Sequence, residues 1–323
     1  MSNKDKIAVV IREQTSHLPN LIRQNGDSAR FAWEEFFYAV IRNEHTRRAY
    51  MGYARRLLTW AEERSISLKQ ISPALVGQFL DELTVSLPSK KLCLAALRHF
   101  FDILVTRHVI VLNPALSVRT DRYSVLEGKT SEITPAQARR LLQSIDDTVL
   151  KGLRDKVTIS ILIYTAARVG AVSKLRLRDY IDTGDQYCFR FVDKGGKSRE
   201  IPVRHDLQQL MKRYVEWSSL QLGSEPNRPL FTTLRRDRKG LSAQPLNAGD
   251  VRRMLKRRLS QAGIPIRLSP HSFRVTTITD LLTQGVPLED VQLLAGHSDP
   301  RTTRLYDRRK RSVNRNIVER ISI

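Results

Sequence analysis

Residues 269–306 read SPHSFRVTTITDLLTQGVPLEDVQLLAGHSDPRTTRLY, and this stretch restricts the fold more tightly than any other. Ser269 as N-cap and Pro270 at the first helical position predict a helix start. Phe273, Ile278, Leu281 and Leu282 recur at helical spacing, so one face is expected in a core. His271 and Arg274, three residues apart, then share a face of the N-terminal turns. A cation, an imidazole and the free N–H groups of a helix start together suit a phosphate. After Gly285 and Pro287 a second amphipathic helix (Leu288, Val291, Leu294) is predicted to stop at Gly296, which leaves His297 at a helix end. Asp299, Pro300, Arg301 and Arg304 lead to Tyr306. A phenol is a poor nucleophile at its ordinary pKa of about 10. Cationic Arg and His⁺ neighbours favour the phenolate and neutralise a phosphate under attack.

The order H-x-x-R (His271, Arg274), L-x-G-H (Leu294, His297) and then Tyr306 resembles the C-terminal signature of the tyrosine recombinases, the family of phage integrases and the Xer and Cre recombinases. That resemblance implies a mainly α (α+β) protein: an N-terminal helical core-binding bundle and a C-terminal, mostly helical catalytic domain with a small antiparallel sheet. It also implies DNA cleavage and rejoining through a 3′-phosphotyrosyl link to Tyr306, strand exchange through a Holliday junction, and self-association into a synaptic tetramer on double-stranded DNA.

The rest of the chain is read against bulk composition. A length of 323 residues suggests two domains, each able to bury its own core. The formal charge is +22, from 55 Lys and Arg against 33 Asp and Glu, and an excess this large implies a polyanionic partner such as nucleic acid. Its clustering (Arg235, Arg236, Arg238, Lys239; Arg252, Arg253, Lys256, Arg257, Arg258) argues for a footprint rather than diffuse charge. Cys93 and Cys188 lie far apart in apolar contexts, without disulfide or metal-ligand spacing. No apolar run approaches the roughly 18 residues of a membrane span, and the first residues lack a signal-peptide core. A reducing, cytoplasmic setting is expected.

Residues 1–28 read as an N-terminal extension, too small for an additional arm-site-binding domain. Residues 29–118 read as four amphipathic helices with short connections, a bundle. Arg47, Arg48, Arg55, Lys90 and Lys91 fall on its polar side as candidate DNA contacts, though any single charge there can equally be a solvated surface. The apolar-poor residues 119–131 read as a linker. Thr134, Pro135 and Gln137 then start a helix, and 132–323 forms the catalytic domain.

That half opens with the apolar run 157–167 (VTISILIYTAA), followed by Arg168. A buried lone cation is costly, so Arg168 needs an anionic partner: a substrate phosphate, or a carboxylate such as Asp179 in a purely structural role. Arg168 matches the family's first arginine, whereas Ala171 stands where the family carries Glu or Asp. Residues 187–192 and 199–203 read as strands around Lys194, Gly195, Gly196 and Lys197, a hairpin without the Walker pattern. By resemblance Lys194 reaches the active site, with Lys197 the alternative. Lys197, Arg199, Arg252, Arg253 and Arg257 are further DNA-contact candidates. Phe231 reads as a turn, residues 235–239 as a basic loop, and 251–259 as a basic helix along the duplex.

The resemblance implies catalytic roles for Arg168, Lys194, His271, Arg274, His297 and Tyr306. Arg168, Arg274 and His297 stabilise charge on the non-bridging oxygens, His271 acts in proton transfer or phosphate contact, and Lys194 protonates the leaving 5′-oxygen. No cofactor and no metal is expected. Two other readings use the same residues. A type IB topoisomerase would perform the chemistry without strand exchange but lacks support from a large clamp region. A non-catalytic DNA-binding protein on the same fold is supported by Ala171 alone.

Overall fold

The computed structural model describes residues 18–121, 131–192, 198–237 and 240–307, and the chain divides into two compact units at Ser124. The N-terminal unit is helical: α1 (Asn20–Gln24), α2 (Gly26–Glu34), a π-helical segment (Glu35–Val40), α3 (Glu44–Glu62), α4 (Pro73–Glu82) and α5 (Leu87–Thr106). Capping follows the sequence, since Asn43 accepts from the Thr46 N–H and Ser72 accepts from that of Leu75. The wider π turn lets the adjacent rings of Phe36 and Phe37 both enter the core, where Trp33 lies 4.4 Å from Phe37 and Phe100 lies 5.8 Å from Phe36. This bundle also takes in Leu18, Leu21 and Ile22, all buried, with the Leu21 N–H donating to Glu62 at 2.8 Å. These residues belonged to the expected extension; a single helical turn with three apolar side chains is too short to register as periodicity.

The C-terminal unit is built on α7 (Leu150–Tyr164), an almost fully buried helix preceded by α6 (Pro135–Gln143), which Thr134 and Gln137 cap reciprocally. The short α8 (Val169–Val172) follows it, and α9 (His205–Leu222), α10 (Ala248–Gln261) and α11 (Pro270–Thr283) pack against it. Three antiparallel strands in the order β1 (Tyr180–Asp182), β2 (Tyr187–Val192) and β3 (Ser198–Pro202) form one sheet, with Phe189 opposite both Tyr180 and Ile201. The expected hairpin is β2–β3; its turn, with Lys194 and Lys197, lies outside the described residues. A second pair, β4 (Thr232–Leu234) and β5 (Leu241–Pro245), occupies the region read as a turn and a basic loop. Strands as short as β1 and β4 offer no alternation to detect. The mainly α fold with a small antiparallel sheet is as expected, and Cys93 and Cys188 are free and buried. No helix among the described residues is long and apolar enough to cross a membrane.

One ionic cluster fastens this unit. Asp155 on α7 is fully buried; its Oδ1 accepts from Arg154 at 2.8 Å, and its Oδ2 accepts from Arg257 at 2.8 Å and Arg258 at 3.0 Å. Arg154 also donates to the Thr232 carbonyl at 2.9 Å, so one carboxylate joins α7, α10 and β4. Arg257, expected on the DNA, is thereby engaged within the protein, because a buried carboxylate one helix away recruits the nearest guanidinium groups. Asp155→Ala leaves these cations without their shared anion and is expected to cost about 3–5 kcal/mol. An earlier urea midpoint, with lost hydrogen-exchange protection in α7 and α10, checks this.

Candidate active site

The site forms where α11 begins. Ser269 and Ser272 cap each other's backbone, and the first two turns carry His271 and Arg274. Arg274 is only 2% exposed. Its Nη1 donates to the Ala166 carbonyl, while its Nη2 is buried with no hydrogen-bond partner among the described residues. Ala166 holds a left-handed backbone (φ 49°) that turns the chain from α7 into α8 and aims that carbonyl at the guanidinium. Arg168, two residues on, is the exposed N-cap of α8 and donates to the Gly296 carbonyl at 3.3 Å. The expected buried cation is therefore Arg274 and not Arg168, because the chain leaves the core at Ala166 before reaching Arg168. Asp179 is engaged elsewhere, accepting from the Arg176 N–H at 2.8 Å.

Two short helices supply the other groups. Helix α12 (Leu288–Ala295) ends on Gly296 in the left-handed region (φ 64°), and α13 (Pro300–Arg304) starts at Asp299, which accepts from the Arg301 N–H. Between them His297 is 6% exposed, its Nδ1 2.8 Å from Thr303 Oγ1 and its ring parallel to Tyr306 at 5.8 Å. Tyr306 is 9% exposed and packs on Val275, Ile278 and Val291, with its hydroxyl 3.4 Å from His271 Nε2. Thr279 on α11 holds the Tyr306 carbonyl at 3.4 Å. His271, Arg274, His297, Tyr306 and Arg168 thus converge from four helices and their ends.

Around them lie two openings. A cavity of about 310 Å³ is lined by Arg168, Arg252, Ser269, His271 and Arg274. A wider groove of about 1130 Å³ is lined by Arg168, Ala171, Arg199, Glu289, Asp290 and His297. Arg199 stacks over Phe191 at 5.3 Å and donates to the Leu294 carbonyl. Of the four arginines on α10, Arg253 pairs with Asp250, and Arg257 and Arg258 pair with Asp155; Arg252 has no carboxylate partner among the described residues and is the one beside Arg274. The structure therefore brings Arg199 and Arg252 to the cluster and ties Arg253 and Arg257 to carboxylates. In the N-terminal unit Arg47 donates to the Ile41 carbonyl at 3.0 Å, Arg48 pairs with Glu44 at 2.8 Å, and Lys90 reaches the Asp81 carbonyl at 3.3 Å. Arg55 and Lys91 are also engaged in interactions. Thr303 and Ala166 escaped sequence reasoning; the Thr302-Thr303 pair before Tyr306 was the available signal. Among the described residues no group of His, Cys, Asp and Glu could hold a metal ion.

The crowding of cations sets the protonation states. Burial, then Arg274, Arg168 and Arg199, push His297 down to about 3. Burial of the ring, then Arg274 and Arg168, lower His271 as well. Burial and then Arg168 lower Arg274, which still keeps its charge at neutral pH. Both imidazoles are therefore neutral at pH 7, where the sequence suggested His⁺: burial disfavours the charged ring, and Arg274 and Arg168, joined by Arg199 at His297, repel a further proton. In the unfolded chain an imidazole protonates near 6.5, and His297 resists until about 3, so between those values the unfolded chain binds the extra proton. The His297 contribution is complete above about pH 6.5 and is lost on acidification, on the order of 1 kcal/mol per pH unit. Urea unfolding at pH 7, 6 and 5 should show a shallower decline for His297→Gln than for wild type; equal slopes would mean a solvated imidazole.

Comparison with known proteins follows the same lines. The phage integrase family model matches residues 131–312, and the phage integrase N-terminal SAM-like domain matches residues 34–108. A tyrosine recombinase of Pseudothermotoga lettingae is 26% identical over 269 residues, 82% of this chain and 87% of the relative. The fold is similar to that of the XerH recombinase in a post-cleavage complex with difH, with a TM-score of 0.66, 20% identity, and coverage of 80% of this chain and 75% of that one. It is also similar to that of a lambda integrase tetramer bound to a Holliday junction, with a TM-score of 0.64, 19% identity, and coverage of 92% and 83%. With residues 131–312 spanned by that family model, and Arg168, His271, Arg274, His297 and Tyr306 gathered at one place, the chain belongs to the phage integrase family of tyrosine recombinases.

Proposed function

We propose that the protein is a site-specific DNA recombinase that cuts and rejoins DNA through Tyr306. One observation carries this reading: the Tyr306 hydroxyl lies 3.4 Å from the neutral His271 Nε2, beside Arg274, whose buried Nη2 has no partner among the described residues. A buried N–H left unsatisfied costs about 1–3 kcal/mol, more when charged, and a phosphate oxygen relieves it.

The phenol oxygen attacks the scissile phosphorus while His271 takes its proton, forming a 3′-phosphotyrosyl bond as the bond to the 5′-oxygen breaks. Arg168 and Arg274 neutralise the non-bridging oxygens, with His297 as a further donor. Lys194, outside the described residues, protonates the departing oxygen. The covalent link conserves the bond energy, so the released 5′-hydroxyl of a partner strand can reverse the step without ATP. Residues 29–118 grip the duplex, 119–131 cross it as a linker, and 132–323 hold the chemistry; Arg47, Arg48, Arg55, Lys90, Lys91, Lys197, Arg199 and Arg252 contribute phosphate contacts. Four copies assemble on the recombining DNA, a reading supported by the similarity to a lambda integrase tetramer bound to a Holliday junction. The setting is the cytoplasm.

Two experiments test this. With a nicked duplex carrying the target site, wild type should give an SDS-resistant protein–DNA band and Tyr306→Phe none, at equal DNA affinity; a band from the variant would remove Tyr306 from its role. Lys194→Ala should cleave a 5′-bridging phosphorothiolate nearly as fast as wild type, because a thiolate with a reference pKa of about 8.5 leaves without an acid. Arg168→Ala should stay slow on it, and rescue of Lys197→Ala instead would exchange the two lysines.

A further inference from the structure

We propose that Thr303 is a positioning residue that fixes the tautomer of His297, so that the ring presents Nε2–H to a non-bridging oxygen of the scissile phosphate. The proposal rests on the phosphoryl-transfer reading above, and adds a partner that decides what His297 can do.

The argument starts from one buried contact. Thr303 is fully buried, His297 is 6% exposed, and Nδ1 lies 2.8 Å from Oγ1. Either atom could hold the proton between them. A threonine hydroxyl has one hydrogen to place, and Nδ1 is the acceptor it reaches among the described residues. If Nδ1 carried the ring proton, Oγ1 would accept it and the hydroxyl hydrogen would be left without an acceptor among the described residues in a fully buried position. The hydroxyl therefore donates to Nδ1, and the neutral ring carries its hydrogen on Nε2.

The other edge of the ring fits this assignment. Nε2 has no hydrogen-bond partner among the described residues, and His297 lines the groove together with Arg168 and Arg199. A donor beside two guanidinium groups attracts an anionic oxygen. A carboxylate on Nδ1 would have drawn the proton to Nδ1 and favoured the imidazolium; a hydroxyl does neither, and the two carboxylates of this groove, Glu289 and Asp290 in the first turn of α12, make no hydrogen bond to the ring. Thr303 sits on α13, which also leads to Tyr306, whose N–H donates to the Thr303 carbonyl at 3.0 Å. One residue thus sets the ring and supports the backbone of the nucleophile.

The test has a structural arm and a kinetic arm. In full-length protein labelled with ¹⁵N-histidine, with His297 assigned from His297→Gln, wild type near pH 7 should show an unprotonated Nδ1 and a protonated Nε2. A protonated Nδ1 overturns the proposal whether or not the protein cleaves DNA, so failure of the recombinase reading is distinguishable. Thr303→Val keeps the shape and removes the hydroxyl; Thr303→Ala replaces it if valine prevents folding. Either should mix the tautomers and slow covalent cleavage by about ten-fold, less than the ~10²–10³-fold loss on deleting an oxyanion donor outright. DNA affinity should hold, Thr303→Ser should restore the rate to within about three-fold, and Thr303→Val should add nothing on a His297→Ala background. An unchanged tautomer or a wild-type rate in Thr303→Val, or additive losses in the double variant, overturns it.

Discussion

The site depends on the burial of one guanidinium. Arg274 sits in the first turns of α11, its Nη1 donating to the Ala166 carbonyl, its side chain interacting with Tyr306, and its buried Nη2 left without a partner among the described residues. A cation so poorly satisfied would normally be excluded from an interior. Burial first, and then its field together with that of Arg168, lower both histidines, leaving His271 and His297 uncharged beside Tyr306. Filling the site with an anion removes the strain, so binding energy is directed to the atoms that react.

Charge elsewhere in the chain is arranged differently. The clustered Lys and Arg suggest a footprint to which every member of a cluster contributes, yet α10 divides its arginines sharply. Arg257 and Arg258 hold Asp155, Arg253 holds Asp250, and Arg252 is left for the cavity beside Arg274. Internal carboxylates therefore select which cations remain available, and a count of basic residues overstates the footprint.

Much of this was legible beforehand because it is written in local rules. The start of α11, the stop at Gly296, the capping of α6 and the β2–β3 hairpin all follow from neighbours within a few residues, and they bring His271, Arg274, His297 and Tyr306 close in sequence order. What escaped is long-range or too short. Strand β4 and helix α1 offer only three to five residues to a periodicity. The exchange of burial between Arg168 and Arg274 depends on a left-handed Ala166, which an alanine gives no reason to expect. The neutral state of His297 comes from burial first and then from three arginines drawn from separate parts of the chain, none of it visible in its neighbours in sequence.

Gly296 joins these distant parts in its own way. Its carbonyl accepts from Arg168, across 128 positions of sequence, and its direction is fixed by a left-handed torsion at the end of α12. That link between the two arms of the phosphate site resides in a backbone angle and not in a side chain. What descent must preserve at position 296 is therefore the freedom to adopt that angle, which glycine has and branched residues lack. An alanine can hold such an angle, as Ala166 does, at a cost of about 1–2 kcal/mol, whereas a β-branched side chain at this position would strain the turn and turn the carbonyl away from Arg168.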